Sequence, residues 1–401
     1  MLHHRVERIP RERLQLRSVT SPPPPPSSPG SLPPAKQPGR PRTDSSSPSS
    51  SHHARPASIQ DVAAAAGVST ATVSRVLNTP TLVLPATADK VRSVIASLGY
   101  RPNPFAQGLM TRKSRVLGIA LPDIHGEFYS ELLRGADCEA RRLGFHLLVG
   151  SEPRRHDNAS DDAAASQSLG RAFSIVDGLA IMITEPNEGL LKTALDSGLP
   201  VVVVDAEIDH PLVDSILVDN AAGTREAVEH LLTSVEPSNL FFVGGPAENF
   251  DSRRRAETFK EVLRERAGAK VRPEQTAFGS YDVQWGREWA AARLALAKGS
   301  AGLTSCGVLA GNDEIALGIL QVAQEAGVAV PKSLKIVGFD DTRLATLVRP
   351  TLSTVRVPLA EIGAAAVASL IRRIEEPEKP AVRTRLLTRL IVRESSGGKH
   401  K

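Results

Sequence analysis

Thr70, Ala71, Ser74 and Arg75 are small or polar residues that share one face if the chain around them is helical. Hydroxyls donate and accept hydrogen bonds, and a guanidinium fork matches the paired acceptors on the edge of a guanine. The chemistry open to this set is therefore the reading of polar edges, not bond making. Ser69, just before the set, is a residue type that caps helices by accepting a backbone N–H bond.

The elements that must position this face lie in residues 58–77. Ser58 can cap a first helix on which Ile59, Val62, Ala63 and Ala66 share a face. Gly67 stands where a turn needs a residue free of Cβ strain. A second helix, capped by Ser69, turns Val73, Val76 and Leu77 inward and leaves Thr70, Ala71, Ser74 and Arg75 outward. The pattern predicts a helix-turn-helix whose polar face suits the DNA major groove, although spacing alone also fits a helical hairpin that merely packs. After a Thr/Pro-rich loop, Val91, Val94, Ile95 and Leu98 space as the inner face of a third helix over 87–98, with Lys90 and Arg92 free to face phosphates.

The wording is closer than the spacing. Asp61-Val62-Ala63, Gly67-Val68-Ser69, Thr72-Val73-Ser74-Arg75-Val76-Leu77-Asn78 and Gly99-Tyr100-Arg101-Pro102-Asn103 resemble, in order and register, the DNA-binding head of the lactose-repressor (LacI/GalR) family. That resemblance implies major-groove contacts from Ser69, Thr70, Ala71, Ser74 and Arg75. It also implies a hinge helix at 103–109, with Asn103, Ala106 and Leu109 on the minor groove and the leucine wedged between central base pairs. Gly108 departs from the better helix formers common there and lowers the helicity of the free hinge by about 1 kcal/mol. The hinge is expected to order on DNA.

Charge placement agrees. The 401-residue chain has a net charge of +5, but residues 1–115 hold 16 Lys and Arg against 5 Asp and Glu, and the remainder 33 against 39. A basic front on an acidic body suits a polyanionic partner. Residues 1–55 carry part of that charge in a Pro- and Ser-rich stretch unable to build a core, expected to be a disordered tail. Two cysteines, Cys138 and Cys306, suggest neither a metal site nor a disulfide framework and fit a reducing cytoplasm. No run approaches a membrane span, and the N-terminus lacks the apolar core of a signal peptide.

Beyond residue 115 short apolar runs alternate with helical patterns, which predicts two doubly wound parallel-sheet lobes. Strands are expected over 116–121, 145–149, 178–183 and 201–204, separated by helices over 127–143, 158–173 and 188–197. A second set follows: strands over 215–218, 239–243, 306–309 and 334–337, and helices over 221–234, 252–266, 283–298 and 312–326. A strand over 353–357, a helix over 359–374 and a final strand over 385–392 complete the halves. This resembles the periplasmic-binding-protein-like core of the same family. The expected division is a head over 56–102, hinge and linker over 103–115, and a core over 116–395. Its N-lobe is 116–217 with 358–384, its C-lobe 218–357 with 385–395, and a short tail follows over 396–401.

Ligands in such sheets bind beyond the carboxyl ends of strands, here between the lobes. The resemblance places Asp123, Phe128, Asp205, Arg255, Tyr281, Asp313 and Asp340 at pocket positions. Arg and Asp can grip hydroxyls bidentately and an aromatic face suits a sugar ring. Asn312 and Asp341 are expected as helix caps instead. His125 stands where the family often has Asn.

No Gly-x-Ser-x-Gly elbow, phosphate-cradling Gly-x-x-x-x-Gly-Lys or His-Glu-x-x-His motif is present. The resemblance therefore implies a dimeric DNA-binding regulator, not an enzyme, with no metal and no cofactor. It implies a repressor of carbohydrate-use genes, acting at a palindromic double-stranded operator under a small-molecule effector, a sugar or sugar derivative. A purine or protein co-effector, or a sugar-binding transport component, are the competing readings. The helix-turn-helix and the missing signal peptide oppose the last.

Overall fold

The computed structural model describes residues 57–100, 114–151, 169–185, 189–268, 271–296 and 305–398. Expectations for the tail, for Arg101, and for hinge residues Asn103, Ala106, Gly108 and Leu109 fall outside these, as does most of the helix expected over 158–173.

Three helices form the head: α1 (Ile59–Ala66), α2 (Thr70–Asn78) and α3 (Pro85–Leu98). Ser58 and Asp61 close a reciprocal capping box, Ser58 N donating to Asp61 Oδ2 (2.8 Å) and Asp61 N to Ser58 Oγ (3.3 Å). Gly67 ends α1 in the left-handed region at φ 64°, where a Cβ is strained. Val62, Ala63, Ala66, Val73, Val76, Ala88 and Val91 make a small core. The third helix begins at Pro85, two residues before its expected start, because proline at the first helical position gives up an N–H that has no partner anyway. Leu98 was expected in the core but is 40% exposed and stands outside the head's buried cluster.

The first lobe is built by β1 (Val116–Leu121), α4 (Glu127–Arg142), β2 (His146–Ser151), β3 (Gly178–Met182), α5 (Gly189–Asp196), β4 (Val201–Val204) and β5 (Asp214–Val218). The chain then crosses to a second lobe: α6 (Asn220–Leu232), β6 (Leu240–Gly244), α7 (Phe250–Ala267), β7 (Thr276–Phe278), α8 (Val283–Leu296), β8 (Cys306–Ala310), α9 (Asp313–Glu325), β9 (Leu334–Asp340), α10 (Leu344–Leu347) and β10 (Ser353–Arg356). It returns for α11 (Leu359–Glu375) and β11 (Arg383–Leu386), and crosses once more to β12 (Arg389–Ile391). The sheets run β11-β5-β4-β3-β1-β2 and β12-β10-β9-β8-β6-β7, the same winding twice. All pairs are parallel except β12 on β10. Strands β1, β3, β4, β6 and β8 are buried along their whole length, as strands covered on both faces must be.

Three expectations change. The strand over 385–392 is two strands in different sheets, broken at Leu387 and Thr388, because β11 pairs with β5 and β12 with β10. The strand over 215–218 lies in the first sheet, between β4 and β11, rather than opening the second. Strand β7 had no counterpart in the sequence reading; three residues of edge strand are too short to show a period.

Each lobe brings one helix pair unusually close through glycines. A Cβ on Gly135 (α4) would lie 1.9 Å from Ala360 O, and one on Gly363 (α11) 2.0 Å from Leu132 O. Gly286 (α8) and Gly318 (α9) are related in the same way, at 2.1 Å from Ile315 O and Val283 O. Alanine at Gly363 gains about 1 kcal/mol of helix propensity but must push two backbones apart, and overpacking of that kind costs about 1–3 kcal/mol. Gly363→Ala should therefore lower the urea midpoint; an unchanged midpoint would show that the helices have room to part.

Candidate functional site

On the head, Ser69 caps α2, its Oγ accepting from Thr72 N at 3.1 Å. Thr70, Ala71 and Arg75 are exposed. Ser74 Oγ accepts from Asn78 Nδ2 at 3.2 Å. The five residues thus share the outer face of one capped helix, while Val73 and Val76 hold its inner face in the core. Lys90 is exposed on α3; Arg92 is tied to Asp89 at 3.1 Å, a surface pair one turn apart.

Between the lobes lies a cavity of about 520 Å³. Asp123, Phe128, Arg255, Tyr281 and Asp340 line it, as expected from the sequence. At its floor Arg255 is 3% exposed. Its Nε donates to Asn220 Oδ1 (2.7 Å), Nη1 to Gly311 O (2.6 Å) and Nη2 to Asp251 Oδ2 (3.4 Å), and the guanidinium lies 3.6 Å from the centroid of the Phe339 ring. Burial opposes the charge, but Tyr281, Asp251, Asp340 and Asp205 hold its pKa above the ordinary value. Asp340, 6% exposed and in the left-handed region at φ 108°, ends β9. Its Oδ1 has no hydrogen-bond partner among the described residues. Burial pushes its pKa well up, against the pull of Arg255 and helped by Asp313, Asp251 and Glu314. Tyr281 donates its hydroxyl to Asn249 Oδ1 (3.2 Å), and burial raises its pKa. Asp123 accepts from the N–H groups of Ile124 and His125, and the His125 ring stands 2.7 Å away with an exposed side chain.

Two expected pocket residues are elsewhere. Asp313 does not line the cavity. It is 1% exposed, and its carboxylate accepts from Thr342 N (2.8 Å), Thr342 Oγ1 (3.0 Å) and Thr354 Oγ1 (2.6 Å), which ties α9 to the ends of β9 and β10. Asp205 is likewise off the cavity wall, 7% exposed, with neither carboxyl oxygen hydrogen-bonded among the described residues. Burial first, and then Asp251, push its pKa well up against Arg255. Of the two expected caps, Asn312 is one, accepting from Ile315 N at 2.8 Å. Asp341 is not; it accepts from Arg356 and Arg393 and caps no helix.

The sequence reading missed Asn249, Asp251, Glu185, Asp282 and Glu314, which also line the cavity. For Asp251 a signal existed, an acid one helical turn before Arg255. The lobes also touch at the rim. Phe250 N of α7 donates to Thr184 O (2.9 Å), and Leu344 N of α10 donates to Glu127 Oε2 (3.0 Å).

Two family models match the chain: bacterial regulatory proteins of the lacI family over residues 58–103, and a periplasmic binding protein-like domain over 228–396. Catabolite control protein A of Priestia megaterium is 32% identical over 338 residues, which cover 84% of this chain and 98% of the relative. The chain belongs to the LacI family of bacterial regulatory proteins. Other LacI-family relatives include the transcriptional regulator RegA of Clostridium saccharobutylicum, 31% identical over 84% of this chain and 99% of its own. Among solved structures, a lac repressor dimer bound to operator and the anti-inducer ONPF is 25% identical with a TM-score of 0.74, covering 85% of this chain and 99% of that one. A complex of the regulator CelR with cellobiose is 25% identical with a TM-score of 0.62, covering 84% and 99%. RegA and CelR are named as transcriptional regulators, and the lac repressor is bound to its operator. No described helix is long and apolar enough to cross a membrane.

Burial raises the Asp313 carboxyl to about 7, against the three hydrogen bonds that pull it down. A carboxyl raised in the folded state keeps its proton after the unfolded chain has lost it. The native state therefore loses stability as pH rises from 3.8 towards about 7, and the loss is complete above that. The urea midpoint should fall over that window, and less steeply in Asp313→Asn; an equally steep fall would assign the effect to other carboxyls.

Proposed function

We propose that the protein is a homodimeric, effector-controlled repressor of carbohydrate-use genes that binds a palindromic operator. The observation that carries this reading is that one chain joins a helix-turn-helix with an outward polar face to an inter-lobe cavity with Arg255 and Asp340 at its floor. Ser69, Thr70, Ala71, Ser74 and Arg75 meet the major groove, with Arg75 reading a guanine. Lys90 and Arg101 meet phosphates. Asn103, Ala106 and Leu109 enter the minor groove. Asp123, Phe128, Arg255, Tyr281 and Asp340 hold a sugar or sugar derivative. Ligand in the cleft changes the angle between lobes, and so the spacing of the two hinges. It shifts operator affinity only as far as it prefers one lobe arrangement. Such a regulator works where the DNA is, in the cytoplasm. A transport component would have no use for the head.

A gel shift on DNA upstream of the protein's own gene tests the reading, and failure to prefer any site over random duplex would reject it. Arg75→Ala should cost about 1–3 kcal/mol and relax preference at one base pair; equal loss on random DNA would make Arg75 a phosphate contact only. Leu109→Ala should weaken specific binding strongly and leave salt-driven, non-specific binding nearly unchanged. Footprinting that shows wild-type affinity with an unperturbed central step would remove the wedge.

A further inference from the structure

We propose that the effector carries a protonated amine on a hydroxylated ring, and that the cleft rejects phosphorylated and other anionic sugars. This rests on the reading of the inter-lobe cavity as the effector site.

The cavity wall carries Asp123, Glu185, Asp251, Asp282, Glu314 and Asp340. Against these six carboxyls, Arg255 is the one permanent cation among the described lining residues, with His125 beside Asp123 at the mouth. Arg255 is also occupied by the protein: three of its N–H groups go to Asn220, Gly311 and Asp251, and its face lies on Phe339. It is poorly placed to serve a phosphate.

Asp340 gives the acidic wall a direction. It is nine-tenths buried and lines the cavity, with Oδ1 left without a hydrogen-bond partner among the described residues. A buried carboxyl oxygen without a partner costs the native state its desolvation, so a ligand donor that reaches it gains more than an exposed one does. Burial and the crowding of acids act in the same direction on this wall. Burial, with Asp282, Glu127 and Asp123 adding to it, raises Glu314; burial, with Asp313, Asp251 and Glu314 adding, raises Asp340 against Arg255. An anion brought into this wall adds to the repulsion, whereas an ammonium relieves it.

The positive charge has to come with the ligand. No three described His, Cys, Asp or Glu side chains are grouped so as to hold a metal ion. Phe128, Tyr129 and Tyr281 line the same cavity, and aromatic faces attract an ammonium as well as stacking on a ring. The cavity, about 520 Å³, is in the range that encloses small ligands.

Isothermal titration calorimetry on the full-length protein, with matched sets of hexosamine, parent hexose and hexose 6-phosphate in the gluco, galacto and manno series, tests this. At least one hexosamine should bind ten-fold or more tightly than its parent hexose, and its 6-phosphate should give no heat. Asp340→Asn should erase most of that preference, lowering hexosamine affinity by a larger factor than the affinity for the parent hexose. A hexose or hexose 6-phosphate that binds as tightly as its amine, or no binding by any hexosamine, overturns the proposal. So does an Asp340→Asn protein, folded by circular dichroism, that keeps the full preference. The operator gel shift is independent of these titrations: if it fails, the regulator reading falls, and if it succeeds without an amine preference, only the ligand class falls.

Discussion

A guanidinium buried at the floor of a cleft must be neutralised and hydrogen-bonded where it stands, since an isolated buried charge costs far more than a domain can spare. Arg255 meets that demand by drawing together four parts of the second lobe: Asn220 at the start of α6, Asp251 on its own helix, the Gly311 carbonyl after β8 and the Phe339 ring in β9. Close packing there is visible in the glycines. A Cβ on Gly311 would meet Gly244 and Gly245 backbone at 3.0–3.1 Å, and one on Gly245 would meet the Tyr281 ring at 2.4 Å. The residues that satisfy Arg255 thus also set the shape of the cavity floor. Any ligand touching Asp340 or Arg255 acts on a network that already spans the lobe.

The first lobe is held with the same economy. Asp214, the first residue of β5, is fully buried at the end of the strand away from the crossing. Burial alone would raise its carboxyl, but Ser369 Oγ, Val382 N–H, Arg372 and Arg373 hold it below its usual value. That one carboxylate joins β5, α11 and the approach to β11. Thr388 Oγ1 donates to Asp219 O at 2.7 Å, binding the third crossing to the first. Opposite the hinge, the rim bonds Thr184–Phe250 and Glu127–Leu344 join the lobes across the cleft. The lobes are therefore joined by the chain crossings on one side and by these rim bonds on the other, which rocking about the crossings would stretch.

Where local chemistry decides, the sequence is legible. The capping box at Ser58 and Asp61, the Gly67 turn and the Ser69 cap are contacts between residues three or four apart, so the head could be read without its fold. Continuous apolar runs gave the buried strands for the same reason. What was not legible depends on partners distant in sequence. Asp313 and Asp340 both follow or end strands of one sheet, yet Asp313 turns down onto Thr342 and Thr354 while Asp340 faces the cavity. Asp341 is claimed by Arg393, fifty-two residues away. The split of 385–392 into β11 and β12 follows from which neighbours each half finds, and its apolar content is similar on both sides of Leu387.

The central claim is that occupancy of the cleft and affinity for DNA are one linked equilibrium. Fluorescence anisotropy of a labelled operator, titrated with the protein at increasing concentrations of a ligand that calorimetry shows to bind the cleft, tests it most directly. The account predicts that operator affinity shifts and saturates with cleft occupancy, and that operator DNA changes ligand affinity by the same factor. Operator affinity that stays constant while the ligand fills the cleft would contradict it.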